Sequence, residues 1–536
     1  MVPRRHRITE EEKHSRLPRA ALAAAGAWAL AGAVAAAGEE RMNVLLISVD
    51  DFKPQTAAYG HEIMHTPNLD RLAAEGVLFE RAYCQQAICA PSRASLLTGM
   101  RPDSTGVIDL FTHFRDVNPG AVTLPQLFAE NGYGTWGTGK IFHASRPGDP
   151  DDRSYSWNEG YSPAGMDMWV MEETLAKIEK KRERARDEGL TGLDFYLATR
   201  GPSTERADAP DEAYPDGDMT LRLIEKLEDK AASGEPFFYT IGYLLPHLPF
   251  AAPEKYWDLY DRDEIELPPT PDLPENAPRF AFQDSWELRN YPDIPPRGEP
   301  IPEEKGLELI HGYYASVSFI DALIGRVLDA LETTGLAGNT VVLLFGDHGY
   351  HLGDHGMWCK HTNFEQANHS ALMLRYPRNP EGRRVARPVE LLDIYPTLAG
   401  LAGLEPPADQ IEGRSLVPVV EDPGAEWKPF AMSQYPRHIE GDPRGMGYSL
   451  RTLRYRYTEW VVNPAWPEGK YYHPWPGNRV VARELYDYET DPHEKRNLAG
   501  DPEYSGVEGI LSALMRAGPP DRRPARMTAD VSGGSE

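Results

Sequence analysis

Apolar runs and amphipathic stretches alternate along most of this chain. Asn43–Val49 (NVLLISV), Pro236–Tyr243 (PFFYTIGY) and Thr340–Phe345 (TVVLLF) are apolar at nearly every position. That is the pattern of strands buried on both faces. Polar groups follow each run: Asp50-Asp51, then His247, then Asp347-His348. Tyr133–Thr138 reads as a further short strand. Helical spacing marks Pro67–Glu75, closed by Gly76, and Thr123–Asn131, followed by Gly132. It also marks Asp218–Lys230 and the long amphipathic stretch Glu303–Thr333. Ala371–Tyr376 and Val389–Leu401 continue the strand–helix alternation. Tyr155–Pro215 is polar and irregular, with one helix expected over Glu172–Asp187. Leu259–Pro302, rich in proline and acid, reads as an ordered surface excursion.

This alternation predicts an α/β fold: a large, mixed but mostly parallel sheet flanked by helices. Such sheets bind ligands at the carboxyl ends of their strands, so the three polar clusters should converge at one edge. Beyond Glu421 the texture changes. Tyr448–Leu453, Arg456–Val462 and Glu484–Tyr488 read as short strands of an antiparallel sheet, and Gly506–Met515 as the last ordered element. The expected organisation is a leader over residues 1–38, a large α/β domain over 41–425, a smaller C-terminal α+β domain over 426–517, and a flexible tail over 518–536. The sequence has no internal repeat.

Charge narrows the possible partners. The 82 acidic residues exceed the 56 Lys and Arg, a formal balance of −26 over 536 residues. That argues against nucleic acid, which needs a basic face. It also opposes the approach of polyanions, so any anion-binding pocket must be built from particular residues. The N-terminus reads as an export signal: Arg4, Arg5, Arg7, Arg16 and Arg19 precede the alanine-rich run Ala20–Ala37, and Ala35-Ala36-Ala37 suits cleavage. A retained anchor is the alternative reading of that run. A periplasmic or secreted protein with no stable membrane insertion after cleavage is the expectation. The three cysteines, Cys84, Cys89 and Cys359, leave at least one thiol unpaired; Cys84 and Cys359 either pair or stand as buried thiols.

Candidate chemistry gathers on the polar clusters. Asp50 and Asp51 alone are too few for a hard cation, but Asp347 and His348 bring the set to three carboxylates and an imidazole, which suits Ca²⁺ or Mg²⁺ better than zinc. His351, His355, His361 and His369 lack acidic partners at ligand spacing and are expected to be structural or to line a cleft.

Cys89–Gly99 (CAPSRASLLTG) resembles the C-x-P-S-R-x-x-x-L-T-G signature of the type I sulfatase family. The resemblance extends over NVLLISVDD, GTGKIFH, PHLPF, DHG and LYDYETDPHE. Within the family it is closest to the iduronate-2-sulfatase group, through CQQAICAPSR, GDHGYHLGDHGMWCK and SQYPR followed by MGYSLRT. It implies an alkaline-phosphatase-like fold and a sulfuric ester hydrolase acting on a sulfated sugar or glycosaminoglycan fragment. It also implies Cys89 oxidised to formylglycine by a formylglycine-generating enzyme, and one Ca²⁺ held by Asp50, Asp51, Asp347, His348 and the modified Cys89. Arg93 would pin the modified side chain, with Lys140 and His143 flanking it, and His247 and Lys360 would contact the sulfate and its leaving oxygen. The chain departs from close relatives at Leu244-Leu245, where His-Lys is common. The loss of that lysine, with the acidic balance, points to a small or weakly charged sulfate ester. The rivals are a phosphodiesterase or phosphonate monoester hydrolase of the same superfamily, and an inactive carbohydrate-binding relative. Every matched polar position is filled, which speaks against decay.

Overall fold

The computed structural model describes residues 41–143, 149, 151–377, 379, 381–422, 424–439, 442–463 and 477–518. The predicted leader and nearly all of the predicted tail lie outside the described residues. Eight strands form the main sheet: β1 (Asn43–Val49), β2 (Val77–Phe79), β3 (Gly134–Gly139), β4 (Tyr161–Ser162), β5 (Phe237–Tyr243), β6 (Thr340–Gly346), β7 (Leu372–Arg375) and β8 (Arg383–Val385). Their order is β8-β2-β7-β6-β1-β5-β3-β4. All pairings are parallel except those of β7, which runs antiparallel to β6 and β2.

Successive side chains of a strand point to opposite faces, and β1 feeds two cores accordingly. Leu45, Ile47 and Val49 pack on one face, in the core that includes α1 (Pro67–Glu75) and α4 (Glu303–Thr333). Val44 and Leu46 pack on the other, in the core that includes α2 (Cys89–Thr98) and α5 (Ile394–Leu401). All five are fully buried, and each contributes about 1.5–3 kcal/mol of transfer free energy.

The parallel register decides where the site lies. Val49 of β1 sits opposite Tyr243 of β5 and Gly346 of β6, and Gly139 of β3 sits opposite Gly242. Four adjacent strands therefore end level, and the next residues are Asp50, Leu244, Asp347 and Lys140. Backbones meet closely here. A methyl on Gly242 would lie 2.1 Å from the Lys140 carbonyl, and Gly139 has φ +82°.

A second, antiparallel sheet runs β9 (Ala431–Ile439), β10 (Asp442–Arg451), β11 (Tyr455–Val462) and β12 (Arg479–Asp487), with α6 (Ser505–Ala517) packed on it. Its edge strand β9 was not anticipated, because Pro436 breaks the strand pattern; an edge position tolerates a proline. The helix expected over Asp218–Lys230 begins earlier, as α3 (Pro215–Ser233), with Pro215 in the first turn. A helix at Gly192–Ala198 lies in the stretch read as irregular. All three cysteines are free and buried, so Cys84 and Cys359 are thiols and not a bridge. No helix among the described residues is long and apolar enough to cross a membrane. The excursion at 259–302 is not only surface: Ile265, Leu288, Tyr291 and Glu287 are buried in it.

Candidate functional site

Asp51 has φ +59°, a left-handed conformation that is strained for a residue with a Cβ. The bend lets Asp50 and Asp51, which would diverge in a continued strand, serve one cluster. The Asp51 N–H donates to Asp347 Oδ1 (3.0 Å), and its carbonyl accepts from Tyr313 of α4 (2.9 Å). Helix α2 starts at Cys89, and all ten of its residues are buried. Its first turn thus enters the level strand ends with no room for water-exposed alternatives.

Cys89 Sγ lies 3.5 Å from Asp50 Oδ1, 3.4 Å from His348 Nε2 and 3.4 Å from Lys140 Nζ. Ligand atoms of Asp50, Asp51, Cys89 and His348 all fall within 4.8 Å of one another. His348 Nδ1 faces the Gly349 carbonyl at 2.9 Å, which turns Nε2 into the cluster. Asp347 stands at its edge. Arg93 Nε donates to its Oδ2 (2.9 Å), and that oxygen is 3.6 Å from His348 Nε2. This donor set fits a hard divalent cation, with carboxylates predominating and one imidazole.

Cations surround the cluster. Arg93 Nη2 donates to Asp50 Oδ1 (3.0 Å), and Nη1 to Ser48 Oγ (3.0 Å) and the Ile141 carbonyl (3.1 Å). Lys140 pairs with Asp50. Lys360 Nζ reaches Asp51 at 2.8 and 2.9 Å. It sits between Cys359 and His361, both at positive φ, +70° and +71°, so the backbone there is strained around the lysine it presents.

Burial raises the pKa of Asp50, but Lys140 and Arg93 outweigh it and hold the carboxyl well below its usual range. Burial dominates at Asp51 and raises its pKa despite Lys360. The Cys89 thiol is pushed well up, first by burial and then by Asp50. Asp216, in the first turn of α3, accepts from the Leu244 N–H (2.7 Å) and Leu245 N–H (3.2 Å), tying that helix to the end of β5.

His247 follows the end of β5. Its Nδ1 faces the Leu248 carbonyl (2.7 Å) and its Nε2 faces Glu287 Oε1 (2.9 Å). Both ring nitrogens thus meet acceptors, which favours the imidazolium. Burial and Lys360 oppose that charge, but Asp51 and Glu287 prevail and the pKa is raised. His143 stands beside Ala90 and Ala94 of α2, lining a small cavity. Its Nδ1 has no hydrogen-bond partner, and burial lowers its pKa to about 3.

The structure therefore gathers Asp50, Asp51, Cys89, Arg93, Lys140, His247, Asp347, His348 and Lys360 through direct contacts, with His143 alongside. Sequence reasoning missed Glu287. It pairs with Lys360 (3.0 Å) as well as His247, and Lys360 and His247 hold its pKa well down against burial. Nothing marks it among the many acids of 259–302.

The profile of the Sulfatase family matches residues 42–404. The chain belongs to the sulfatase family. It is thus a sulfuric ester hydrolase with an alkaline-phosphatase-like fold. A second profile, the C-terminal region of N-sulphoglucosamine sulphohydrolase, matches residues 353–517 of this sulfatase. It is 34% identical to iduronate 2-sulfatase of Mus musculus over 532 residues, covering 87% of this chain and 92% of the relative. The iduronate 2-sulfatase of Homo sapiens is also 34% identical, with 86% and 92% covered. Among solved structures, a phosphonate monoester hydrolase of Agrobacterium radiobacter superposes with a TM-score of 0.67 at 24% identity, covering 90% of this chain and all of that one. A protein solved with its substrate D-glucosamine-2-N,6-O-disulfate gives 0.66 at 23% identity, covering 89% and 97%. At these identities the structural likeness concerns the fold.

Proposed function

We propose that this sulfatase removes sulfate from a sulfated carbohydrate, as the iduronate 2-sulfatases it resembles are named for doing, with Cys89 matured to formylglycine and one Ca²⁺ at the acidic cluster. The observation that carries this reading is the position of Cys89 Sγ, within 3.5 Å of Asp50, His348 and Lys140 together. A thiol whose pKa is driven up is a poor nucleophile in itself, so this setting suits a modified side chain better than a working cysteine.

Asp50, Asp51, Asp347 and His348 would hold the cation, with the side chain at 89 completing the set. When bound, the ion would supply Lewis-acid stabilisation of sulfate oxygens, and formylglycine would supply a hydroxyl nucleophile. Asp50 Oδ1 is placed to accept a proton from the side chain at 89. Arg93, Lys140 and Lys360 offset charge as it develops on the sulfuryl oxygens. His247, whose Nε2 faces Glu287 and whose Nδ1 faces the Leu248 carbonyl, would turn its Nε2 proton from Glu287 to the leaving sugar oxygen. His143, neutral near pH 7, takes up a proton in the return step. The four carboxylates Asp50, Asp51, Asp347 and Glu287 outnumber the permanent cations Arg93, Lys140 and Lys360. A divalent ion would make the pocket net positive, against the overall −26 of the chain. The leader-like N-terminus supports a periplasmic or secreted enzyme.

Mass spectrometry of the Cys89 peptide tests the modification: the thiol-to-aldehyde mass change is expected, and an unmodified thiol in active protein defeats the reading. Rates on aryl sulfate and aryl phosphate diester test the reaction; faster diester turnover would select the phosphonate hydrolase alternative.

A further inference from the structure

Beside the cluster opens a cleft of about 380 Å³. Asp50, Lys140 and His247 line it, together with Leu244 and Leu248. Trp169, Tyr196 and Arg200 are also among its lining residues. Leu244 therefore faces the cleft where relatives often carry a basic residue, and Leu245 is fully buried. Besides Lys140, which pairs with Asp50, and Arg182, which pairs with Asp167, the lining carries a third permanent cation, Arg200.

Arg200 is 6% exposed. Its guanidinium lies between two aromatic rings, 4.7 Å from the Tyr196 centroid and 4.6 Å from that of Tyr291. Its Nη1 donates to the Glu287 backbone carbonyl (3.0 Å), and its Nε has no hydrogen-bond partner. Among the described residues no carboxylate forms an ion pair with it. A buried arginine is ordinarily paired with an acid. The two rings hold this guanidinium in place and stabilise its charge, and its Nε is left without a partner in a residue that lines the cleft. Tyr196 is half exposed, at 49%, and with Trp169 it supplies an aromatic surface of the kind that seats a sugar ring while a few polar groups set its orientation.

We propose that Arg200 anchors a second anionic group of the substrate, a carboxylate or a further sulfate, on the sugar whose ester sulfate sits over Cys89. The inference rests on the sulfatase reading and makes the substrate an acidic or multiply sulfated saccharide. It replaces the expectation of a weakly charged ester drawn from Leu244 and Leu245. Arginine suits the task because its planar fork meets carboxylate or sulfate oxygens in pairs.

The test is calorimetric binding to the full chain carrying Cys89→Ala, which prevents turnover. Three probes are compared: a disaccharide with a 2-O-sulfated uronate, a neutral disulfated disaccharide, and a neutral monosulfated sugar. Each is titrated against Arg200, Arg200→Lys and Arg200→Met backgrounds, with thermal melting to verify folding. Arg200→Met is expected to weaken one or both doubly anionic probes by about tenfold or more, the loss typical of a charge-assisted contact, with Arg200→Lys intermediate. The monosulfated sugar should change far less. Loss confined to the uronate identifies a carboxylate; loss confined to the disulfate identifies a second sulfate. Equal losses for all three probes, or no loss for any, overturn the proposal. Absence of hydrolysis by the unaltered enzyme on every sulfate ester would overturn the proposed function instead, and the titrations would still decide the role of Arg200.

Discussion

At the scale of single residues, the site is a set of buried charges that hold one another. Glu287 meets both His247 and Lys360, so it positions the groups proposed to face the leaving oxygen. Glu287→Gln keeps the shape and removes the charge. It is expected to lower kcat/KM on a sulfate ester by about 10²-fold, within the range assigned to general acid–base groups, because Nε2 of His247 loses its charged acceptor. Steady-state rates beside a melting curve check this; an unchanged kcat/KM in folded protein would remove Glu287 from the machinery. Cys89→Ala should reduce hydrolysis to the uncatalysed level while leaving the melting temperature nearly unchanged or higher, since a small buried thiol contributes little to packing.

At the scale of elements, the site depends on four parallel strands ending level. At Gly242 β5 leaves no space beside the end of β3, and the added methyl of Gly242→Ala would press on the Lys140 carbonyl at 2.1 Å. Overpacking of that kind costs about 1–3 kcal/mol, so melting should fall by several degrees and activity should fall further, as Lys140 is displaced. A second joint links the start of β9 to the segment before α5. Lys428 is 4% exposed and pairs with Glu390 and with Asp393 (2.7 Å). Lys428→Met leaves two buried acids without that cation, and a loss of about 3–5 kcal/mol is expected on chemical denaturation. Arg101, which also meets Glu390 at 2.7 Å, keeps the loss at the lower end.

At the scale of the whole molecule, buried histidines set the acid limit of stability. His351 is fully buried, and burial lowers its pKa to about 3, as it does for His143. The unfolded chain takes up protons at these residues near pH 6.5 while the folded chain does not. Their contribution is thus full above about pH 6.5 and is lost as pH falls from there towards 3. Melting temperature should decline over that interval, and less steeply in His351→Gln. A slope unchanged in the variant would assign the acid transition to other groups. Chelation by EGTA is expected to abolish sulfate ester hydrolysis and lower the melting temperature. Added Ca²⁺ should restore both, because the carboxylates of Asp50, Asp51 and Asp347 converge and a divalent ion offsets their charge.

The strands, the long helix and the fold class were legible because buried parallel strands are apolar throughout and amphipathic helices repeat near 3.6 residues. Glu303–Thr333 and Glu172–Asp187 agree with the observed helices end to end. The candidate cluster was legible because its members sit directly after those strands or inside one long motif. Glu287 and Arg200 were not, since each lies in a polar connecting stretch where one charged residue looks like the next. Only the folded chain brings such segments over the strand ends, and only there does burial distinguish an acid or arginine that touches the site from one that faces water. Local pattern therefore determined the scaffold and the chemistry at its edge. The register of β1, β3, β5 and β6, and the folding-in of two excursions, decided what surrounds that chemistry, because contacts between distant segments leave no periodic trace in the chain.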